Sequence, residues 1–235
     1  EKSFANLIRR LMVGQLDDDV ANLMDDGPKL LEHYGISKYP MPMRFKANAL
    51  LFCRGVVDLS ALHYGIGVSP DEIKGIEWRQ RPPYLLFIEN RASFERYVRE
   101  IDDAGVVIYT AGFPPRAWLH AIEIIIAEVQ DEVPVYHWGD RDVGGYRILA
   151  FLAKRLNIDI QPYLMGLDAS IRSQGDDELK EIPVAGLMQA IESARGYPAI
   201  SELYEHLGNC QRTSLLWIEQ EQIAPLSPLD KTRAL

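Results

Sequence analysis

The chain has 235 residues, of which 47% are hydrophobic, enough for one large α/β domain or a domain with a smaller appendage, and too apolar for intrinsic disorder. With 25 Lys and Arg against 34 Asp and Glu the formal net charge is −9, which argues against a free-standing nucleic-acid binder with a broad basic face. No apolar run approaches the roughly 20 residues that span a bilayer, and the start lacks a signal-peptide pattern, so a cytoplasmic protein with no membrane contact is expected.

Residues 1 to about 80 lack sustained strand alternation and read as a mostly helical N-terminal region. Leu7, Ile8, Leu11 and Met12 recur at helical spacing, as do Val20, Leu23, Leu30 and Leu31. Asp17-Asp18-Asp19 reads as a solvated helix start. Tyr39-Pro40-Met41-Pro42 breaks any helix. Ser69-Pro70-Asp71-Glu72 has the composition of a helix start, with Ser as cap and Pro in the first turn. The cysteines, Cys53 and Cys210, lie far apart and read as two reduced thiols rather than a disulfide or a zinc site.

The pattern changes near residue 83. Tyr84–Ile88 is a short apolar run of the length and type of a buried strand, and Ser93–Asp103 is amphipathic and helical. Val106–Tyr109 is the next strand, Pro115–Val129 a helix, Val133–His137 a third strand, Gly144–Leu156 a helix and Ile158–Leu164 a fourth strand. Strands that begin about every 25 residues and alternate with helices indicate parallel βαβ units on one sheet. A polar loop and helices near 184–194, 200–208 and 211–222 complete the chain. The fold class is therefore α/β, a parallel sheet flanked by helices. Two regions are expected: 1–80, and 81–235 with a helical C-terminal extension.

In parallel sheets functional groups gather at the carboxyl ends of strands. The first strand ends at Glu89-Asn90, and the third at Gly139-Asp140-Arg141-Asp142-Val143-Gly144-Gly145. In an extended segment Asp140 and Asp142 point the same way, because side chains alternate with period two. Glu89 can meet them from a strand of the same sheet. Three hard oxygen donors suit Mg²⁺ or Mn²⁺, ions that polarise phosphoryl oxygens and orient a nucleophilic water. Gly144 and Gly145 let backbone approach a phosphate at the start of the next helix. Arg91, Arg141 and Arg147 flank the acids and either hold phosphates or balance nearby carboxylates. His137 reads as a core histidine rather than a general base, and Trp118 and Trp217 read as core. Glu219-Gln220-Glu221 reads as a solvated helix face, with reach to the acids as the other option.

Glu89, one βα unit and then Asp140-x-Asp142 resemble the Toprim domain of topoisomerases, primases and related nucleases. The segments FIENRASF (Phe87–Phe94), VIYTAGFPPR (Val107–Arg116) and HWGDRDVGGYRIL (His137–Leu149) resemble more specifically the JetD nuclease subunits of Wadjet anti-plasmid systems, which are similar to the A subunit of topoisomerase VI. The resemblance covers roughly residues 40–225. It implies a Toprim (Rossmann-like) domain following a DNA-binding domain, with the present chain a fragment of the whole. It also implies a homodimer acting on plasmid DNA beside an SMC-type ATPase complex with kleisin-like subunits. Glu89, Asp140 and Asp142 inherit the metal-binding, catalytic acids. Val143 departs from the Pro that topoisomerase VI places after its D-x-D. No segment matches that enzyme's nucleophilic Tyr: Tyr34, Tyr39 and Tyr64 read as structural. Hydrolysis by metal-activated water is thus favoured over a covalent protein–DNA link. Two other readings stay open, a non-catalytic DNA-docking or assembly subunit and a Toprim RNA-processing nuclease.

Overall fold

The computed structural model describes residues 39–127, 129, 133–166 and 181–230. The parallel core follows the apolar runs closely. Strands β6 (Leu85–Ile88), β7 (Val106–Tyr109) and β8 (Val135–Trp138) alternate with helices α1 (Arg91–Glu100), α2 (Arg116–Ala127) and α3 (Val143–Leu156). All four residues of β6 are fully buried, as a central strand covered on both faces requires. A two-residue strand β9 (Gln161–Pro162) ends the parallel set. The expected longer strand over 158–164 is cut short for local reasons. Pro162 has no N–H to donate, and Leu164 adopts a left-handed conformation with φ of 56°.

Between residues 41 and 80 the expected helices are not found. Five short strands occupy this stretch: β1 (Met43–Lys46), β2 (Ala49–Phe52), β3 (Val56–Asp58), β4 (Ile66–Val68) and β5 (Gly75–Trp78). β1 and β2 each alternate buried and half-buried residues with period two, Met43 and Phe45 inward, then Ala49 and Leu51. Each alternation lasts only four residues, too short to register as a strand pattern, and it is tertiary pairing that stabilises it. Ser69-Pro70-Asp71-Glu72 does start a helix, but it lasts a single 3₁₀ turn at Pro70–Glu72. The helical reading of residues 1–38, including Asp17–Asp19, lies outside the described residues.

The main sheet has six strands in the order β4-β1-β7-β6-β8-β9, with β1 antiparallel to its neighbours β4 and β7, and β7, β6, β8 and β9 parallel to one another. Strands β3-β2-β5 form a separate antiparallel sheet. From β6 the chain crosses one way to β7, then back over β6 to β8 and on to β9. Right-handed crossovers running in opposite directions place α1 on one face and α2 and α3 on the other. The direction reverses beside β6 and β8, so the crevice at their carboxyl ends is the topological switch point.

The C-terminal part contributes β10 (Glu181–Pro183), α4 (Val184–Ile191), α5 (Pro198–Asn209) and β11 (Ser214–Leu216), with β10 and β11 paired antiparallel. The helix expected over 211–222 is replaced by β11 and one 3₁₀ turn at Gln220–Gln222. Pairing with β10, remote in sequence, overrides the local pattern. Trp118 and Trp138 are buried, the Trp118 indole N–H donating to the Met41 carbonyl at 2.8 Å. Cys53 and Cys210 are free and half-buried. Among the described residues no helix is long and apolar enough to cross a membrane.

A polar cluster ties the far end of the sheet together. The buried Tyr84 hydroxyl meets the Tyr97 hydroxyl at 2.8 Å and donates to Asp103 at 2.6 Å, and the Ser227 hydroxyl donates to the same carboxylate at 2.5 Å. Tyr84→Phe leaves Tyr97 and Asp103 short of a partner in a buried place. It should cost about 1–3 kcal/mol, read as a lower denaturation midpoint in urea; an unchanged midpoint would show that the cluster does not clamp these elements.

Candidate functional site

Strands β6 and β8 are neighbours, with Ile88 opposite Trp138. The next residues, Glu89 and Gly139, therefore leave the sheet side by side. The Glu89 N–H donates to the Trp138 carbonyl at 3.0 Å, extending the ladder by one bond. Asn90 then caps α1, its side-chain oxygen accepting from the Ala92 and Ser93 N–H groups at 2.7 and 3.4 Å. Asp142 caps α3 in the same way, accepting from the Gly145 N–H at 2.7 Å. A Cβ on Gly145 would stand 2.1 Å from the Asp140 carbonyl oxygen, so only glycine lets α3 begin this close to the D-x-D backbone. The place of Gly145 is thus explained by packing. Gly144 is half-buried, with the Asp142 carboxylate 3.1 Å from where its Cβ would be.

The segment 218–222 docks on these strand ends. Gln220 is fully buried and makes three hydrogen bonds of 2.8 Å: its backbone N–H donates to the Asp140 carboxylate, its side-chain oxygen accepts from the Asn90 N–H, and its side-chain amide donates to the Trp138 carbonyl. Glu221 accepts from the Asn90 side-chain amide. The solvated-face reading of Glu219–Glu221 is therefore corrected: Gln220 is an internal strut and Glu221 faces the acids. Arg141 is also reassigned. It is buried, and its guanidinium donates to the Leu216 carbonyl at 3.0 Å and the Gly166 carbonyl at 2.8 Å, while its backbone N–H donates to the Ile218 carbonyl at 2.9 Å. Those donors fasten the docked segment rather than meeting a phosphate. Arg91 and Arg147 are exposed, on α1 and α3.

The electrostatics show how closely the acids are grouped. Burial pushes Glu89 up to about 7, its charge is further opposed by Asp140 and then by Asp142 and Glu221, and a hydrogen bond from the Asp140 backbone partly offsets the rise. Asp140 is also raised, first by burial, then by Asp142, Glu221 and Glu219, against the relief from the Gln220 N–H. One carboxylate oxygen of Glu89 is buried without a hydrogen-bond partner. It lies 2.5 Å from the position a Cβ would take on Gly139, and the His137 Nε2 lies 2.8 Å from that same point. His137 is fully buried, neither ring nitrogen has a partner, and burial drives its pKa down to about 3, with a backbone contact to Gly145 pulling the other way. It is a neutral core histidine, as its sequence context indicates, though not a hydrogen-bonded one.

Mutually repelling carboxylates and an orphaned buried oxygen are the donor chemistry of a hard divalent cation. As placed, one oxygen each of Asp140 and Asp142 is turned to a backbone N–H, and among the described residues no three His, Cys, Asp or Glu side chains are gathered into a ligand cage. The set fits the ion in kind, and ligation would draw the remaining carboxylate oxygens inward. Glu89, Asp140 and Asp142 were legible in the sequence. Asn90 was half-legible, as a cap residue between a strand and a helix, whereas Gln220 and Glu221 come from 80 residues further on, with no local signal of where they dock.

The fold and site together define a mixed α/β domain with a six-stranded, mostly parallel sheet and an acidic cluster at its switch point. The chain belongs to the family described as Wadjet protein JetD, C-terminal, whose model matches residues 64–228. It is 28% identical over 138 residues to the Wadjet protein JetD of Bacillus cereus (strain Q1), a match covering 57% of this chain and 34% of that protein. The chain thus spans about a third of the length of that relative.

The Glu89 shift has a consequence for stability. The folded chain keeps the Glu89 proton up to about pH 7, whereas an unfolded chain releases it near the usual 4.5. Between those values the folded state binds more protons, so this group's contribution to stability falls as pH rises, and the penalty is full above pH 7. Without divalent cations, Glu89→Gln should therefore melt higher than wild type at pH 8, by the equivalent of roughly 1–3 kcal/mol, and the gap should close towards pH 4.5. An equal or lower melting temperature at pH 8 would contradict the strain assigned to Glu89.

Proposed function

We propose that this chain is the Toprim-type catalytic part of a metal-dependent DNA endonuclease that serves a Wadjet anti-plasmid system. The observation that carries the reading is the meeting of Glu89, Asp140 and Asp142 at the carboxyl ends of adjacent parallel strands, with a Glu89 oxygen buried and unpartnered. Membership of the JetD family supports the Wadjet context. On this reading Glu89, Asp140 and Asp142 hold Mg²⁺ or Mn²⁺. Such an ion, when bound, polarises a phosphoryl oxygen and lowers the pKa of a coordinated water.

The chain's own residues do the positioning. Gln220 fixes one oxygen of Asp140 and the Gly145 N–H fixes one of Asp142, which leaves the second oxygen of each free to turn to the ion. Glu221, facing Glu89 and Asp140, adds negative charge that strengthens cation binding. His137, neutral and enclosed, takes no proton from the substrate. The expected partners are plasmid DNA, a second copy of the chain and an SMC-type ATPase complex with kleisin-like subunits. The open arrangement of the carboxylates favours one rival, a docking subunit that binds DNA without cutting it.

Cleavage of closed-circular plasmid with Mn²⁺ or Mg²⁺, the partner complex and ATP separates the two. Wild type should linearise the plasmid, and Glu89→Ala and Asp140→Ala should lose roughly 100-fold or more while keeping the wild-type circular dichroism. Gln220→Ala, which removes the side-chain bonds to Asn90 and Trp138 but keeps the backbone N–H to Asp140 and every carboxylate, should lose about 10- to 100-fold. Equal cutting by the acid variants, or no cutting under any metal, would move the docking reading ahead, and cutting confined to RNA would redirect the site to RNA processing.

A further inference from the structure

Asn90 closes the acidic site on one side and at the same time starts α1, whose exposed face bears an unusual concentration of arginines. Arg91, Glu95 and Arg99 form one stripe along the helix, with Arg96 and Glu100 on the next, and Arg44 reaches over from β1; together they line an open depression. Four guanidiniums face two carboxylates in a chain whose net charge is −9. Arg44 and Arg99 share Glu95, and Arg96 pairs with Glu100. Arg91 is exposed, with no ion-pair partner among the described residues.

Three of the four, Arg44, Arg96 and Arg99, are held in place by partners. The Arg44 guanidinium lies over the Phe94 ring at 5.7 Å and that of Arg99 over the Tyr64 ring at 4.9 Å. Arg96 also donates to the Glu221 carbonyl at 3.5 Å, so the depression runs directly into the segment that carries Gln220. The Arg96–Glu100 pair is exposed and contributes only about 0–1 kcal/mol, and Arg91 contributes no ion pair among the described residues, so fold stability does not explain the whole cluster. Each guanidinium has five N–H donors in a fixed fork, and the pairing seen here leaves several free to face solvent. From Arg91 to Arg99 the face is about 12 Å long, the rise of three to four nucleotides of one DNA strand at roughly 3.4 Å each.

We propose that Arg44, Arg91, Arg96 and Arg99 form a binding track for the phosphate backbone of DNA, leading one strand along α1 to Glu89. The proposal rests on the nuclease reading for its choice of DNA, since the track meets the site where a phosphodiester would be cut. It also resolves a difficulty of that reading: four acids repel a polyanion, and an adjacent row of cations supplies the attraction that brings the strand in.

The test is binding of a short labelled DNA duplex to the full chain by fluorescence anisotropy, in EDTA, across a salt series. Arg91→Gln with Arg99→Gln should weaken binding about tenfold and make the salt dependence shallower by nearly two, about 0.9 for each phosphate no longer neutralised. Arg91→Lys should keep the wild-type slope. Arg79→Gln, which breaks an exposed pair with Asp58 beside the three-stranded sheet, should change neither. Unchanged affinity and slope in the double variant would overturn the track, as would failure of the wild-type chain to bind the duplex. An effect on binding of the partner complex but not of the duplex would also overturn it, assigning the face to an acidic protein. The two readings fail separately. Normal duplex binding by the arginine variants, with cleavage still lost in Glu89→Ala, sinks the track alone; weakened binding by those variants, in a protein whose wild type cuts nothing, leaves the track and sinks the nuclease.

Discussion

The site depends on one buried residue. Gln220 touches the ends of both β6 and β8, its side chain through Asn90 and Trp138 and its backbone through Asp140, and the bond to the Trp138 carbonyl is fully buried. A buried amide with every bond satisfied specifies a geometry, whereas one left short of a partner costs the desolvation of the orphaned groups. The β6–β8 ladder sets the separation of the two strand ends that carry Glu89 and Asp140, and Gln220 braces the segments that leave them. Arg141 reinforces the same docking from the other side, and the pairing of β10 with β11 brings the segment into reach. A feature 80 residues away in sequence thus controls what the D-x-D can do.

The carboxylates themselves work against stability. Grouping Glu89, Asp140 and Asp142 in partial burial, with the exposed Glu221 beside them, raises Glu89 and Asp140 and leaves a Glu89 oxygen without a donor, near the unpartnered His137 imidazole. A fold under selection for stability alone would put apolar or paired groups here. Strain of this kind is tolerated where a ligand of opposite charge relieves it. On the proposed reading, the acid cluster at the strand ends and the arginine row on α1 divide the work, negative charge holding the cation and the adjacent positive charge drawing in the DNA strand.

The sequence disclosed the parallel core because Tyr84–Ile88, Val106–Tyr109 and Val133–His137 are dense apolar runs, each followed by a helix with helical spacing. It disclosed that Glu89 and Asp140-x-Asp142 end neighbouring strands because each closely follows one of those apolar runs. It hid β1 to β5, whose alternation, as in Met43 and Phe45, covers too few residues to stand out. It hid the extended run at 214–218 because pairing with β10 is non-local. Arg141 looked like a phosphate ligand from its place between two aspartates, but period-two alternation that aligns Asp140 with Asp142 also turns Arg141 away, into the carbonyls of Leu216 and Gly166. The same rule that groups the two aspartates thus already excludes the residue between them.

The central claim is that the four-acid cluster is a cation site, and thermal unfolding at pH 8 with and without Mn²⁺ tests it most directly. An ion that binds the folded state alone raises the melting temperature by mass action, and this readout needs neither partner nor DNA. The account predicts a rise for wild type that grows with Mn²⁺ concentration and is lost in Asp140→Ala and Asp142→Ala. A wild-type chain that melts at the same temperature in EDTA and in Mn²⁺, or a shift that survives both substitutions, would contradict it.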